Sequence, residues 1–369
     1  MNFVVRLGGI TLGLAVVALA SADTLRVGTW NISTYTGSNR TTAIQNAVYG
    51  SFQGRSFAPD VLFVQEIQSS TAAVALQSVL NAAAGSPGDW QVTFGSPLNG
   101  TNSTNDTAML YRTSRVSALT PVLVAPAAGP SGQPRDTWRF DFTVNGNLAN
   151  ETFSVYNVHM KSGNTTTDQN RRDMEAQNIR NNANSLSGNR QIMAVGDFNW
   201  QSSAQAAWGT LTDSTANNTG RFFDPIQTPG SWNNNESFKF VHTQDPVGGG
   251  GMDDRFDAIL MGGGLGDNVG TEYVGAFGTA YSTTTWNDPN HSYRVWGNDG
   301  TSFNSALTVN GNSMVGASIA QSLIDAASTS GHLPVFADIR YDAVPEPATI
   351  SILGLGLAGL IARRRQHSK

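Results

Sequence analysis

The segment Ala194-Val195-Gly196-Asp197-Phe198-Asn199 sets a carboxylate and a carboxamide two residues apart, at the end of an apolar run that begins at Gln191. In an extended chain such residues point to one side. Asp197 and Asn199 are therefore expected to face one site together, with Phe198 turned into the core. A carboxylate beside a neutral amide can hold a hydrated cation and a phosphate oxygen at once. The same residues also suit an Asx turn after a strand, and on this segment alone the two readings are evenly matched.

Other apolar runs end in the same way. Residues 25–32 alternate as a strand and close on Asn31; residues 60–67 close on Gln65-Glu66. An ionised glutamate ending an apolar strand is costly unless it is paired or metal-bound. Residues 153–158 lead to His159, with Lys161-Ser162 just beyond as equally a phosphate contact or a solvated loop. Residues 255–260 carry Asp257, and His332 precedes the last strand, 335–341. In layered α/β proteins, sites gather at strand ends. The chain has no cysteine, which excludes a disulfide framework, a thiolate metal site and a cysteine nucleophile.

The elements that must position these groups follow from periodicity. Helices are expected at Thr41–Tyr49, 71–84, 168–186, 203–211 and 317–326. In the second, Val74, Leu76, Val79 and Leu80 are available for burial; in the third, Arg171, Arg172 and Glu175 form a polar side. Further strands are expected at 107–111, 116–124 and 135–144. The Asn/Gly/Thr-rich stretches, 212–251 and onward to Met314, are expected to be long surface loops. His242 and His291 fall in them as surface residues. Trp232, Trp286 and Trp296 fall there too, as local packing groups rather than base-stacking platforms. There is no internal repeat, and strands and helices mix as in a large two-sheet α/β body.

The ends carry signals of their own. Arg6, an apolar run over 10–19 and Ala20-Ser21-Ala22 have the layout of a secretory signal peptide, residues 1–22, cut after Ala22. Near the other end, Val344-Pro345-Glu346-Pro347 precedes an apolar glycine-rich run, 348–362, and then Arg363-Arg364-Arg365; His367 lies in this tail. The run is short for a free span, and the arginines fit a cytoplasmic flank. The order Pro-Glu-Pro, apolar helix, arginine cluster resembles the PEP-CTERM sorting signal of Gram-negative bacteria. It implies transient membrane insertion, recognition by an exosortase, removal of residues 343–369 and a place in the secreted or envelope fraction. Without Arg6, Glu346, the three tail arginines and Lys369, the body 23–342 has 17 basic and 26 acidic residues, a formal charge of −9. A polyanion is not held by such a field, so a phosphate substrate must be met locally, by metal and a few arginines.

Taken together, the order Asn31-Ile32, Gln65-Glu66, His159, Gly196-Asp197-Phe198-Asn199, Arg255-Phe256-Asp257-Ala258-Ile259-Leu260 and His332-Leu333-Pro334 resembles the endonuclease/exonuclease/phosphatase superfamily across nearly all of the body. The resemblance implies a four-layer α/β sandwich, with two mixed β-sheets flanked by helices, and Mg2+- or Mn2+-dependent phosphoester hydrolysis by a monomer. It implies Glu66 as the main metal ligand with Asn31 beside it. Asp197 and Asn199 position the nucleophile and scissile phosphate. His332 is the general base, oriented by Asp257, and His159 stabilises developing charge. Arg135 binds phosphate, and Asn105 or Asp106 supports His159. The substrate class it implies first is nucleic acid, in a nuclease or phosphodiesterase. A phosphatase, a sphingomyelinase-like lipid hydrolase and an inactive surface or matrix-binding protein are the alternatives. One position departs: family members usually carry Asp immediately before the last histidine, where this chain has Gly331. That puts a second metal position in question. Asp253 or Asp254 is a substitute only if the glycine-rich loop at 248–251 folds inward. Gly331→Asp is expected to be tolerated if φ there is not positive.

Overall fold

A computed structural model describes residues 21–37, 39–95, 106–127, 134–328 and 331–344. The two sheets have the same plan. In sheet one the order is β12 (Glu272–Tyr273), β14 (Val335–Ala343), β1 (Ser21–Tyr35), β2 (Val61–Ile67), β4 (Asp106–Arg112), β3 (Trp90–Phe94), with β13 (Arg294–Val295) also on β14. In sheet two it is β10 (Phe222–Phe223), β11 (Asp257–Gly262), β9 (Arg190–Asp197), β8 (Thr152–His159), β7 (Thr137–Val144), β5 (Val116–Ala118), with β6 (Val122–Ala125) also on β7. Each sheet is antiparallel except for one central parallel pair, β1 with β2 and β8 with β9.

The sheets pack face to face. Along β8, Phe153 and Val155 enter the core shared with sheet one, while Tyr156 and Val158 enter a second core on the outer face. Strands buried on both faces read as continuous apolar runs, which is why β2 and β9 stand out in the sequence. Helices α1 (Thr41–Tyr49), α2 (Ser70–Asn81) and α5 (Gly316–Ala327) cover sheet one; α3 (Thr166–Ser185) and α4 (Ala206–Thr212) cover sheet two. This is the expected four-layer sandwich.

Several local expectations change. The strand expected over 116–124 is two short strands, β5 and β6, on the same edge of β7. Val74 is half exposed, so α2 buries Leu76, Val79 and Leu80 without it. In α3, Arg172 and Glu175 are buried rather than on the polar side. Arg172 donates to the carbonyls of Lys161 and Gly163 and to Gln205 Oε1, so it clamps α3 to the site loop and to α4. The loop-rich stretch over 212–315 is not merely surface. It sends Tyr281, Tyr293, Trp296, Leu307 and Met314 into the main core and Trp232 into the outer one. Arg255 and Asp224, joined by two 2.9 Å hydrogen bonds in the interior, brace it.

At the ends, β1 begins at Ser21, paired with Ala343, and Ala22 pairs with Asp342. The last strand thus reaches one residue past the expected body boundary, and Val344 N–H still bonds Gly146 O at 2.8 Å. Most of the secretory-signal segment and the tail beyond Val344 lie outside the described residues. Among the described residues, no helix is long and apolar enough to cross a membrane.

Candidate active site

Sheet two delivers a row. His159 ends β8, Asp197 ends β9 and Asp257 opens β11, and the register aligns His159 with Asp197 and Asp197 with Asp257. Gly196, one step back, sits at φ +128°, and a Cβ there would lie 2.1 Å from the Val158 carbonyl oxygen. Only glycine lets β9 approach β8 this closely.

Beyond Asp197 the chain turns rather than continuing as a strand. Asp197 Oδ1 accepts the Asn199 N–H at 2.9 Å, Asn199 has φ +52°, and its Nδ2 donates to the Met160 carbonyl at 3.0 Å. The Asx turn and the site are therefore one structure: the turn, not strand alternation, returns Asn199 to the side of Asp197. Phe198 is buried and stacks on Trp200 at 4.0 Å.

Sheet one delivers its groups through irregularities. Asn31 aligns with Gln65, after which the β1–β2 register shifts, and the β2–β4 register shifts between Val64 and Ile67. Glu66 occupies that break with φ +62°. Its Oε2 accepts from Thr34 N at 2.7 Å and Thr34 Oγ1 at 3.0 Å, and its Oε1 accepts from Asn31 Nδ2 at 3.1 Å. The same Asn31 nitrogen donates to Asp197 Oδ2 at 3.1 Å. Two carboxylates from different sheets thus converge on one electropositive group, in the kind of oxygen-rich setting that suits a hard divalent cation. Half a turn of the Asn31 amide would present its oxygen to the same point, at the cost of the bond that Oδ1 accepts from Ser33 N.

His332 joins the sheets. Its Nδ1 donates to Asp257 Oδ2 at 2.6 Å, its carbonyl accepts from Trp30 Nε1 at 2.9 Å, and its Nε2 lies 4.0 Å from Asp197 Oδ2. Burial alone would lower its pKa, but Asp257, Asp197 and Glu66 outweigh burial and raise it to about 10. Burial likewise pushes the Asp197 carboxyl up, against the pull of His332. His159 completes the group, with Nε2 3.5 Å from Asp197 Oδ2 and 3.8 Å from Glu66 Oε1. Ligand atoms of Asp197, Asp257 and His332 also lie within 4.8 Å of one another, a spacing an ion could bridge. Within that group, His332 Nδ1 and Asp257 Oδ2 share the 2.6 Å hydrogen bond.

Arg135 lies just before β7, behind His159. Its Nη1 donates to the carbonyls of His159 and Met160, both at 2.8 Å. Its backbone N–H donates to Glu175 Oε1 at 2.5 Å, and Glu175 Oε2 accepts from Lys161 N at 3.1 Å. Burial outweighs these hydrogen bonds and raises the Glu175 carboxyl to about 7. Lys161 Nζ pairs with Asp168 at 3.2 Å. Asn105 and the side chain of Asp106 lie outside the described residues. His242 and His291, expected at the surface, are buried. The loops carrying them fold inward: His242 is held between the Trp232 and Met252 carbonyls, and His291 between the Tyr273 and Thr279 hydroxyls. Trp232 and Trp296 are buried and Trp286 packs against the core, so all three are packing groups.

The Gly331 departure has a steric cause. Its φ is not positive, yet a Cβ would lie 2.4 Å from the Ala327 carbonyl oxygen and 2.5 Å from Ala327 Cα. The expected tolerance of aspartate there is overturned by the C-terminal end of α5. Asp254 does come near His332, where the two charges interact, while its Oδ1 accepts from Asn233 Nδ2 at 2.8 Å.

Four positioning residues escaped the sequence reading. Gln65 and Asn157 bond across the two sheets beneath the site, Nε2 to Oδ1 at 2.7 Å. Trp30 holds the His332 carbonyl, and Thr243 accepts the Asp257 N–H on its hydroxyl at 3.2 Å. A polar residue interrupting an apolar strand is the signal that could have found the first two; nothing local marks Trp30 or Thr243.

Comparison with known proteins bears on the fold and the tail. Residues 343–366 match the PEP-CTERM protein-sorting motif, an address for export and sorting to the envelope. No curated protein sequence matches the chain. Among solved structures, an endonuclease/exonuclease/phosphatase from Bacteroides vulgatus is 12% identical, covers 87% of this chain and 100% of its own, and superposes with a TM-score of 0.51. D. rerio TDP2 complexed with single strand DNA product is also 12% identical, covering 86% of this chain and 98% of its own at a TM-score of 0.49. The human Nocturnin catalytic domain with bound sulfate is 12% identical, with 87% and 97% covered and a TM-score of 0.46. The Bacteroides similarity identifies the sandwich as the endonuclease/exonuclease/phosphatase fold.

Proposed function

We propose that this chain is an exported, metal-dependent phosphoester hydrolase acting on phosphodiesters, with nucleic acid as the first substrate class. The observation that carries the reading is the His332–Asp257 pair, joined at 2.6 Å, facing Asp197 and the Glu66–Asn31 pair across one site.

Each side chain has a task in this reading. His332 presents Nε2 to the site because Nδ1 is committed to Asp257, so Nε2 takes the proton of the attacking water. Asp197 orients that water, and Asn199 directs an amide toward a phosphoryl oxygen. His159 stabilises charge on the departing oxygen. Arg135 holds the His159–Met160 backbone in place and adds positive potential from behind. Glu66 and Asn31 would hold Mg2+ or Mn2+, which when bound supplies Lewis-acid stabilisation of the phosphoryl oxygens. The charge balance supports that assignment. With three carboxylates around it His332 is held protonated, and it works as a base only when another cation offsets them.

The test is cleavage of plasmid DNA, linear DNA, RNA and a chromogenic phosphodiester by the folded body, with Mg2+ and then with chelator. Chelator-sensitive cleavage of at least one diester is expected. Release of inorganic phosphate from monoesters, or phosphocholine from sphingomyelin, with inert nucleic acid would move the assignment to a phosphatase or lipid hydrolase. The acidic body keeps that second reading in play. No turnover of any phosphoester would leave an inactive surface protein on the same scaffold. The tail in this reading is processed by an exosortase at the envelope of a Gram-negative cell; an unshortened C-terminus in the mature protein, read by mass spectrometry, would refute it.

A further inference from the structure

The segment Thr243-Gln244 belongs to none of the sequence motifs above, yet it touches both halves of the His332–Asp257 pair. Thr243 is fully buried. Its hydroxyl accepts the N–H groups of Phe256 and Asp257, each at 3.2 Å, and its carbonyl accepts the Leu333 N–H at 2.8 Å. One residue therefore ties the strand bearing Asp257 to the segment bearing His332. Gln244 follows, paired with Asp254 through backbone bonds. Its side-chain amide nitrogen lies 3.2 Å from His332 Nε2, the ring edge opposite Asp257.

We propose that Gln244 is a positioning residue for His332. It holds the Nε2 edge in both protonation states. The chemistry of an amide suits this. A neutral imidazole offers one lone pair at Nε2, which the Gln244 NH2 can donate to until the attacking water takes its place. An imidazolium offers an N–H, which the Gln244 carbonyl can accept after half a turn of the amide. A carboxylate at the same place would serve only the charged state. The charged groups already facing His332 are Asp257, Asp197 and Glu66, with Asp254 beside Gln244. A neutral partner on the fourth side keeps the ring able to release its proton.

The proposal rests on His332 acting as the base, and the experiment separates the two claims. The histidine ring signals are followed by NMR against pH in the full chain, with His332 assigned by its loss in His332→Asn. Wild type is compared with Gln244→Ala and Gln244→Glu, and circular dichroism checks that each variant folds. Gln244→Glu is expected to move the His332 Nε2–H proton resonance downfield, because a carboxylate is the stronger acceptor for that N–H. Gln244→Ala is expected to leave the fold intact while shifting the His332 Nε2 resonance. If turnover is found, Gln244→Ala should lower kcat about tenfold, the worth of one hydrogen bond to a charged group, with KM changed less. Identical His332 ring signals in all three proteins would overturn the proposal, whatever the activity. Shifted His332 signals with no turnover in any of them would leave Gln244 in place and sink only the hydrolase reading.

Discussion

The two sheets reach the site by different means. In sheet two, His159, Asp197 and Asp257 stand side by side in one unbroken row of the ladder. In sheet one, Glu66 stands in a break between two register shifts, at a positive φ, and Ser33 and Thr34 opposite are also left-handed, at φ +53° and +45°. Non-glycine residues at such angles persist only where the surroundings hold them, at a cost of ~1–3 kcal/mol each. The row is fixed by backbone pairing. The break is fixed by side-chain bonds to Glu66, those from Thr34 and Asn31, which a cation would rearrange. In the proposed reading, the first arrangement serves proton transfer and the second a bound ion.

The largest effects are expected in the row. Asp257→Asn and His332→Ala are each expected to lower kcat by about 10²–10⁴-fold, the usual worth of a positioned base, with metal dependence unchanged. A loss of metal affinity instead, seen by titration calorimetry, would mean that the Asp197–Asp257–His332 trio is the ion site. On the break side, Glu66→Gln keeps the bonds from Thr34 and loses the charge. Its half-saturating Mg2+ concentration is expected to rise by about 10–100-fold, the scale on which an altered ligand shell changes metal affinity, with the rate partly rescued by added metal. An unaltered metal requirement would remove Glu66 from the metal role.

Gly331→Asp acts beside His332, where the two sheets meet. The added Cβ meets the backbone of Ala327 rather than a movable side chain. Overpacking of this kind costs ~1–3 kcal/mol. Several degrees of melting temperature should be lost, read by calorimetry. A variant that melts as the wild type does and holds metal more tightly would restore the view that an aspartate fits there.

Which parts were legible in the sequence follows from the same contrast. The row was legible because β8 and β9 are apolar runs that end on a titratable residue and β11 is one that opens on a carboxylate. Period and termination are local signals. Glu66 was legible for the same reason, but the break that turns it was not, because positive φ at a glutamate leaves no mark in composition. His242 and His291 were misplaced because Asn/Gly-rich loops resemble surface, and only the fold shows that such loops cover the edges of both sheets. Arg172 and Glu175 were misplaced because a helical period assigns charges outward. Their burial depends on backbone carbonyls and N–H groups of the loop after β8 that no helix pattern contains. Gly331 was read from backbone freedom alone, whereas the constraint came from α5, which ends four residues earlier.

The smallest expected effect concerns the support beneath the row. Glu175 accepts the N–H groups of Arg135 and Lys161, so it braces the chain on both sides of His159. Its carboxyl titrates near 7 in the folded protein, against an ordinary value of 4.5, because burial disfavours the charged form more than its partners favour it. The folded state therefore binds more protons than the unfolded one between those values. The stabilisation is fully present below pH 4.5 and is lost as pH rises through about 7. The shift corresponds to at most ~3 kcal/mol at ~1.4 kcal/mol per pH unit. Glu175→Gln cannot titrate, so it removes this dependence while keeping one acceptor for Arg135 N. Lowering the pH from 8 to 5 should raise the stability of the wild type relative to Glu175→Gln by one to three kcal/mol, to order of magnitude. The measurement is paired denaturant melts across that range, since other carboxylates move both proteins alike and cancel in the difference. A difference that stays flat from pH 8 to 5 would mean that Glu175 is ionised throughout, and that the brace under His159 is a buried anion matched by Arg135.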